Sequence, residues 1–304
     1  MPSRLRVATR GSQLAKWQAQ FVADRLIEAH PGLIVELLVV ETTGDRRLDV
    51  PIWEMGGQGV FVREVQAAVL DGRADLAVHS AKDLPSTTAP ELDLACVPVR
   101  EDARDALIGS TLAELPPGAR VATGSVRRRA QLAWLRPDLT FAGLRGNIAT
   151  RIAKAADHHA IVVAAAALYR LGLADKASEV LSTDDLLPQV GQGALAVECR
   201  AGDCVTSSSL AAIEDPVARR AVDAERGFLA GLGGGCDLPV GAYAVEDGDG
   251  RLIIDGFLAT LDGRILLRDR VTGPAESGAA LGSGLAERLL FEAGGSMLLE
   301  DLAS

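Results

Sequence analysis

A short internal repeat constrains the fold of this chain more than any other feature of its sequence. The segment Arg6-Val7-Ala8-Thr9 recurs as Arg120-Val121-Ala122-Thr123, and each copy is followed by a Gly-Ser turn and then by a predicted helix. Four matching residues are weak evidence alone, but the shared strand, turn and helix context predicts two similar lobes. Each copy sets a helix N-terminus at the carboxyl end of a strand, where α/β sheets bind anions.

Strands and helices alternate through both predicted lobes. In the first, Ser12 is predicted to cap a helix with an apolar stripe formed by Leu14, Trp17, Phe21 and Val22. The first lobe is further predicted to contain a buried strand over 33–40, a helix that ends at Gly72 and a strand over 74–79. The second lobe is predicted to contain strands over 139–141 and 160–166 and a helix over 147–156. This alternation predicts parallel α/β sheets.

The segment after Asp237 has a different pattern. Strands around 240–245, 252–258 and 264–271 are separated by Asp-Gly turns, which predicts an antiparallel meander. A helix over 284–293, capped by Ser283, is expected to cover it. The result is a small α+β domain.

Composition narrows the class of ligand. A chain of 304 residues with 48% hydrophobic residues is long enough for two or three domains. Its net charge of −10 counts against nucleic acid as a partner. Arginines nevertheless concentrate between Arg127 and Arg170, which favours a small ligand that carries carboxylates or phosphates.

The four cysteines are Cys96, Cys199, Cys204 and Cys236. They form no CxxC pair, so we expect free thiols and no bound metal. Cys236 follows Gly233-Gly234-Gly235, where the thiol is either an attachment point for a ligand or a chance member of a turn. No apolar run has the length of a membrane span and the N-terminus has no secretory pattern, so we expect a cytoplasmic protein without membrane contact.

Polar residues cluster where the predicted strand 74–79 ends, in His79-Ser80-Ala81-Lys82-Asp83. Asp83 is either a capping group or the acid/base of a cleft with Lys82 as its charge partner. We interpret His79 as structural.

Two arginines stand where the helix dipole disfavours cations. Arg127 and Arg128 lie in the first turn of a predicted helix, so a bound anion would explain them. Arg145 and Arg151 surround another strand-to-helix turn, and solvated helix faces explain Arg129 and Arg136.

Two glycine-rich segments lack the glycine spacing of nucleotide-binding motifs. We interpret 56–59 as a mobile lid and 191–193 as a hinge.

Together these segments resemble the porphobilinogen deaminase family over essentially the whole chain. The matching stretches are Ala8-Thr9-Arg10-Gly11-Ser12, Gly56-Gly57-Gln58-Gly59, Ala77-Val78-His79-Ser80-Ala81-Lys82-Asp83-Leu84-Pro85, Thr123-Gly124-Ser125-Val126-Arg127-Arg128, Leu144-Arg145-Gly146-Asn147 with Thr150-Arg151, Val190-Gly191-Gln192-Gly193-Ala194, and Gly234-Gly235-Cys236.

The resemblance implies an α/β fold with two periplasmic-binding-protein-like lobes and a small α+β C-terminal domain that contains an antiparallel three-stranded sheet. The implied domains are residues 1–99 with 192–213, residues 100–191, which are rich in arginine, and residues 214–304, which carry the anchoring cysteine.

The resemblance also implies the site. A dipyrromethane cofactor would be attached covalently to Cys236, and Asp83 would be the catalytic acid/base. Cofactor contacts are implied for Ser80, Lys82, Thr123, Ser125, Arg127, Arg128 and Arg145, and substrate contacts for Arg10, Ser12, Arg151 and Arg170.

The implied activity is the stepwise head-to-tail condensation of four porphobilinogen molecules with loss of ammonia. Hydrolysis then releases hydroxymethylbilane, and the enzyme is expected to be a cytoplasmic monomer without metal.

The chain departs from the family pattern in the predicted lid, where Glu54 and Gln58 stand in a region that often carries lysines in the family. Two rivals are a non-catalytic anion-binding protein with the same two lobes, which leaves Cys236 and Asp83 without a role, and a nucleic-acid-binding protein.

Overall fold

The computed structural model describes residues 2–42, 62–234 and 238–303, with side chains described as far as residue 299. The chain divides into two compact units. One consists of Met1–Glu101 with Ala194–Arg219, and the other of Asp102–Gly193 with Arg220–Ser304. No helix of the described ranges is both long enough and apolar enough to cross a membrane. The three domain boundaries implied by the family resemblance stay a prediction.

The described residues contain strands of between two and nine residues. The strands are β1 (Arg4–Arg10), β2 (Ile34–Val40), β3 (Leu76–Ser80), β4 (Leu92–Cys96), β5 (Asp105–Ile108), β6 (Arg120–Ala122), β7 (Thr140–Ala142), β8 (Ala160–Ala164), β9 (Glu179–Val180), β10 (Leu195–Arg200), β11 (Val240–Glu246), β12 (Arg251–Ala259) and β13 (Leu266–Pro274).

Helices cover the three sheets that these strands form. The α-helices are α1 (Gln13–Ala29), α2 (Arg63–Leu70), α3 (Val126–Leu135), α4 (Ile148–Ala153), α5 (Ala165–Arg170), α6 (Cys204–Leu210), α7 (Pro216–Gly231), α8 (Gly278–Glu287) and α9 (Gly295–Ala303). Short 3-10 turns include Ala81–Asp83 and Lys154–Asp157, and Arg288–Glu292 is a π-helical turn.

The two five-stranded sheets have the same topology. Their strand orders are β2-β1-β3-β10-β4 and β7-β6-β8-β5-β9. In each sheet the first three strands are parallel, and the fourth runs antiparallel to both of its neighbours. The prediction of two similar lobes is therefore confirmed, and the predicted parallel pairing is confirmed for the first three strands of each sheet but not for the fourth.

The first unit confirms the predicted helix cap and part of the predicted apolar stripe. The hydroxyl of Ser12 accepts a hydrogen bond from the N–H of Ala15 at the start of α1. Val22 of the predicted stripe is buried, and Ala19 and Leu26 share its buried face, while Trp17 is exposed and stacks on Phe21. Strand β2 was expected to be buried, but it is an edge strand and is largely accessible along its length.

The three C-terminal strands form the predicted antiparallel meander, in the order β11-β12-β13. The predicted covering helix over 284–293 was misplaced, because α8 begins at Gly278 and Ser283 lies inside it without a capping role. Glycines explain the error. Gly282 has a low helix propensity, but the absence of a Cβ lets α8 approach the main chain of α7 closely at Ala224.

Candidate anion-binding and catalytic site

In the first unit, the predicted polar residues lie at one edge of the sheet. Strands β1 and β3 are parallel neighbours, with Ala8 opposite Ala77, so their carboxyl ends meet at the same edge. The residues at this edge are Arg10, Ser12, Ser80, Lys82 and Asp83. In α/β sheets this edge is the usual place for a ligand.

Asp83 lies at the end of a short turn that fixes its backbone. Strand β3 passes into the 3-10 turn Ala81–Asp83, in which the N–H of Leu84 donates to the carbonyl of Ala81 at 3.2 Å. The N–H of Ala81 donates to the carbonyl of Ala194, and the buried Leu84 anchors the far end. Pro85 prevents the turn from continuing as a helix. Lys82 and Asp83 are therefore held half-buried on a rigid support.

Two predicted contact residues of this edge have identified protein partners. The hydroxyl of Ser12 accepts the capping N–H of α1, which leaves its own proton free to be donated elsewhere. Ser80 exchanges hydrogen bonds with the amide of Gln18, at 2.8 Å from Nε2 and 3.2 Å to Oε1. Gln18 is buried in α1, and it orients Ser80 although it was not predicted as a site residue.

His79 is buried directly before these residues. Its Nε2 lies 3.2 Å from Oε2 of Glu198 on the neighbouring strand β10, and Gln66 donates to the same oxygen at 2.9 Å. Both His79 and Glu198 are almost completely inaccessible. This packing agrees with the interpretation of His79 as a structural residue.

The second unit repeats the arrangement with arginines. Strands β6, β7 and β8 are parallel, so the segments that follow them meet at one sheet edge. Thr123 and Ser125 follow β6, Arg145 follows β7, and Arg170 lies in α5 directly after β8. Gly124 is required in the first of these turns, because a Cβ there would lie 2.7 Å from the carbonyl oxygen of Leu144.

Arg127 and Arg128 are buried and share one carboxylate. Nη2 of Arg127 lies 2.5 Å from Oδ2 of Asp105, and Nη2 of Arg128 lies 2.7 Å from Oδ1. Each guanidinium also donates to a main-chain carbonyl, that of Leu187 from Arg127 and that of Val162 from Arg128. Asp105 was not predicted as a site residue, because its only signal in the sequence is a single aspartate at the start of an apolar strand.

The charges of this cluster do not cancel. Burial alone would raise the pKa of Asp105, but the two adjacent guanidiniums outweigh that effect and hold the pKa well below its usual range. Burial lowers the pKa of Arg127, and the charge of Asp105 opposes this change. With one carboxylate against two guanidiniums, the trio carries an excess of one positive charge.

The cluster also contains buried donors that have no acceptor. Among the described residues, neither Nε of Arg127 nor Nε of Arg128 has a hydrogen-bond partner, although both side chains are buried. A buried N–H without a partner costs about 1–3 kcal/mol. Excess positive charge and free planar donors are the features that bind a carboxylate, so these residues fit an acidic ligand.

Three other predicted residues of this edge have main-chain partners within the second unit. Thr123 is buried, and its hydroxyl accepts from the N–H of Ser125, which in turn caps α3. Nε of Arg151 donates to the carbonyl of Gly146 at 2.8 Å, and Arg170, also buried, donates to the carbonyl of Gly193 at 2.6 Å.

Two arginines were assigned to solvated helix faces. Arg129 is exposed and lies over the ring of Phe141. Arg136 is only partly exposed, because it pairs with Asp138 and donates to the carbonyls of Leu112 and Leu115.

Cys236 and the predicted lid with Glu54 and Gln58 lie outside the described residues. The structure does describe how the chain approaches Cys236. Helix α7 ends in a Schellman motif, in which Gly233 donates to Ala230 and Gly234 to Leu229. Both glycines have positive φ, which explains why this segment is rich in glycine.

The chain is thus a two-unit α/β protein with a half-buried aspartate in the first unit and two buried arginines in the second. A sequence profile described as "Porphobilinogen deaminase, dipyromethane cofactor binding domain" matches residues 5–208, and one described as "Porphobilinogen deaminase, C-terminal domain" matches residues 219–291. The chain therefore belongs to the porphobilinogen deaminase family, whose members are transferases with a dipyrromethane cofactor.

Individual relatives agree over nearly their full length. The chain is 51% identical to a porphobilinogen deaminase of Roseiflexus castenholzii, over 98% of this chain and 99% of that protein. It is 47% identical to a porphobilinogen deaminase of Syntrophotalea carbinolica, over 95% of this chain and 93% of that protein.

Among solved structures, the methionine-binding protein MetQ is similar over 70% of this chain and 91% of that chain, with 14% identity and a TM-score of 0.44.

Proposed function

We propose that this chain is a hydroxymethylbilane synthase. It condenses four porphobilinogen molecules head to tail with release of ammonia, and then releases hydroxymethylbilane by hydrolysis. The single observation that supports this most is the buried excess of positive charge formed by Asp105, Arg127 and Arg128 within the segment that matches the cofactor-binding profile.

The chemistry of the substrate explains why the charge is needed. Porphobilinogen carries an acetate and a propionate, so every condensation adds two negative charges to the bound chain. Guanidiniums bind carboxylates through paired N–H donors, and they stay charged when buried. The proposed cofactor contacts are Ser80, Lys82, Thr123, Ser125, Arg127, Arg128 and Arg145, and the proposed substrate contacts are Arg10, Ser12, Arg151 and Arg170.

Asp83 is proposed as the group that moves the proton. Its half-buried carboxylate on the Ala81–Asp83 turn can accept pyrrole N–H groups and stabilise positive charge as ammonia leaves. The rigid turn keeps the carboxylate in one position while successive rings pass it.

Cys236 is proposed as the anchor, through a thioether from its sulfur to the dipyrromethane. When bound, the cofactor supplies the pyrrole carbon to which the first substrate is joined. The Schellman motif that ends α7 brings the chain sharply out of the helix just before Cys236. The support for this residue is the family pattern Gly234-Gly235-Cys236.

Turnover of purified protein tests the proposal. Incubation with porphobilinogen alone should consume the substrate and release four molecules of ammonia for each hydroxymethylbilane. Binding of porphobilinogen without release of ammonia would instead favour a non-catalytic anion-binding protein.

Two finer expectations belong to the same proposal. We expect the enzyme to act as a monomer, as the family resemblance implies, and in the cytoplasm, as the sequence predicts. Light scattering on the purified protein tests the first, and cell fractionation tests the second.

A further inference from the structure

Asp105 occupies a central position among the buried arginines. It is the first residue of β5, where it pairs with Ala164 at the carboxyl end of β8, and its side chain is completely buried. Because β5 is antiparallel to β8, its first residue lies at the edge that holds Thr123 and Ser125. Asp105 therefore lies within the proposed binding edge of the second unit.

Each arginine of the pair is fixed at two points. Asp105 binds one terminal nitrogen of each guanidinium, and the carbonyls of Leu187 and Val162 bind the other. Gln131 in turn fixes Leu187, accepting from its N–H at 2.8 Å and donating to its carbonyl at 3.1 Å. Two such contacts remove the rotamer freedom of a long side chain before any ligand binds.

A second side chain orients the carboxylate itself. Nε2 of Gln192 donates to Oδ1 of Asp105 at 2.8 Å and to the carbonyl of Ala103 at 2.7 Å. Gln192 is fully buried in the segment that was interpreted as a hinge. The carboxylate of Asp105 is thus held by an amide as well as by two cations.

The charge balance distinguishes this arrangement from an ordinary buried ion pair. A second carboxylate would neutralise the cluster, and no carboxylate at all would leave two adjacent cations to repel each other. One carboxylate keeps both guanidiniums in place and leaves a single positive charge.

We propose that Asp105, oriented by Gln192, is a positioning residue that holds Arg127 and Arg128 ready for one carboxylate of the bound pyrrole chain. The inference rests on the proposed function, because it assigns a role within that same site. Asp105 would touch neither substrate nor cofactor and would act through the two arginines.

The test measures cofactor loading rather than stability. Full-length protein without cofactor, purified from cells that make no porphobilinogen, is titrated with porphobilinogen, and intact mass gives the fraction of chains that carry the dipyrrole. For Asp105→Asn we expect the half-saturating concentration to rise about tenfold or more, because the two guanidiniums lose their shared anchor. High porphobilinogen concentrations should restore full loading.

Asp102→Asn is the matched control, because Asp102 forms a more accessible ion pair with Arg104 near the start of the same strand. Its half-saturating concentration should equal that of the wild type. A purely structural role of Asp105 would lower the melting temperature and leave half-saturation of the folded protein unchanged, and that result would overturn the proposal.

Gln192→Leu tests the positioning role of Asp105 independently, in case Asp105→Asn does not fold. This variant removes one hydrogen bond to the carboxylate and leaves all three charges, so half-saturation should rise about threefold. Unchanged half-saturation in the folded Gln192→Leu protein would contradict the proposal. Failure of the wild type to load any dipyrrole would instead contradict the proposed function, so the two failures are distinguishable.

Discussion

Asp105 and Arg127 form a fully buried ion pair, with 2.5 Å between Oδ2 and Nη2, although 22 positions separate them in the sequence. The contact links the first strand segment of the second unit to the first turn of α3. It also explains how a cation is tolerated at a helix N-terminus, where the dipole opposes it.

Breaking this pair from the arginine side should destabilise the protein. Arg127→Gln leaves the shared carboxylate with one cation and removes the donor to Leu187, and loss of one partner of a buried pair costs about 3–5 kcal/mol. The free energy of unfolding from urea titration measures the effect. Arg129→Gln, on the exposed side of the same helix, should change it little, and equal losses in the two variants would show that burial of the pair is unimportant.

Asp83→Asn should separate catalysis from binding. The amide keeps the size of the side chain but cannot accept a proton, so the dipyrrole should be present while the rate of ammonia release falls by about 100-fold or more. Intact mass and an ammonia assay give the two readouts on one sample. Asp71→Asn, an exposed residue after α2 in the same unit, serves as the control. Near-normal turnover in Asp83→Asn would exclude the proposed role.

Two glycines of α8 should respond to alanine in opposite directions. A Cβ on Gly282 would collide with the carbonyl oxygen of Ala224, whereas a Cβ on Gly284 would meet nothing within 4 Å. Gly282→Ala should therefore lower the melting temperature. Gly284→Ala should raise the free energy of unfolding by up to about 1 kcal/mol, because alanine has the higher helix propensity. A stable Gly282→Ala protein would mean that α7 and α8 are not packed this closely.

The ion pair of Asp75 should make stability depend on pH at the acid end. Burial alone would raise the pKa of Asp75, but hydrogen bonds from the side chain and N–H of Arg6 lower it below its ordinary value. Because the folded-state pKa is depressed, the contribution is complete above the unfolded value of about 3.9 and disappears as the pH falls through the folded value.

Asp75→Asn should accordingly be less stable than the wild type near pH 7, and the difference should shrink below about pH 4. Urea unfolding at a series of pH values measures both proteins. A difference that grows on acidification would have the wrong sign for this mechanism.

Local sequence signals predicted the elements that depend on neighbouring residues. The strand and Gly-Ser repeat located β1 and β6, and Ser12 was correctly placed as a helix cap. Asp-Gly turns gave the meander, because a tight hairpin is specified by its own turn residues.

Long-range contacts could not be predicted in the same way. The antiparallel strand β10 joins a sheet whose other strands precede it by about a hundred positions or more, and no local pattern encodes that partner. Asp105 likewise looked like the polar end of a short strand until Arg127 and Arg128 were placed beside it. Helix α8 was misplaced because its glycines have poor intrinsic propensity and are favoured only by the close contact with α7.

The central claim is tested most directly by the intact mass of the purified wild-type chain beside Cys236→Ser. We predict that the wild type is heavier than its polypeptide by two condensed porphobilinogen units, and that Cys236→Ser has the mass of the polypeptide alone. A wild-type chain without the added mass, or an adduct that persists in Cys236→Ser, would contradict it.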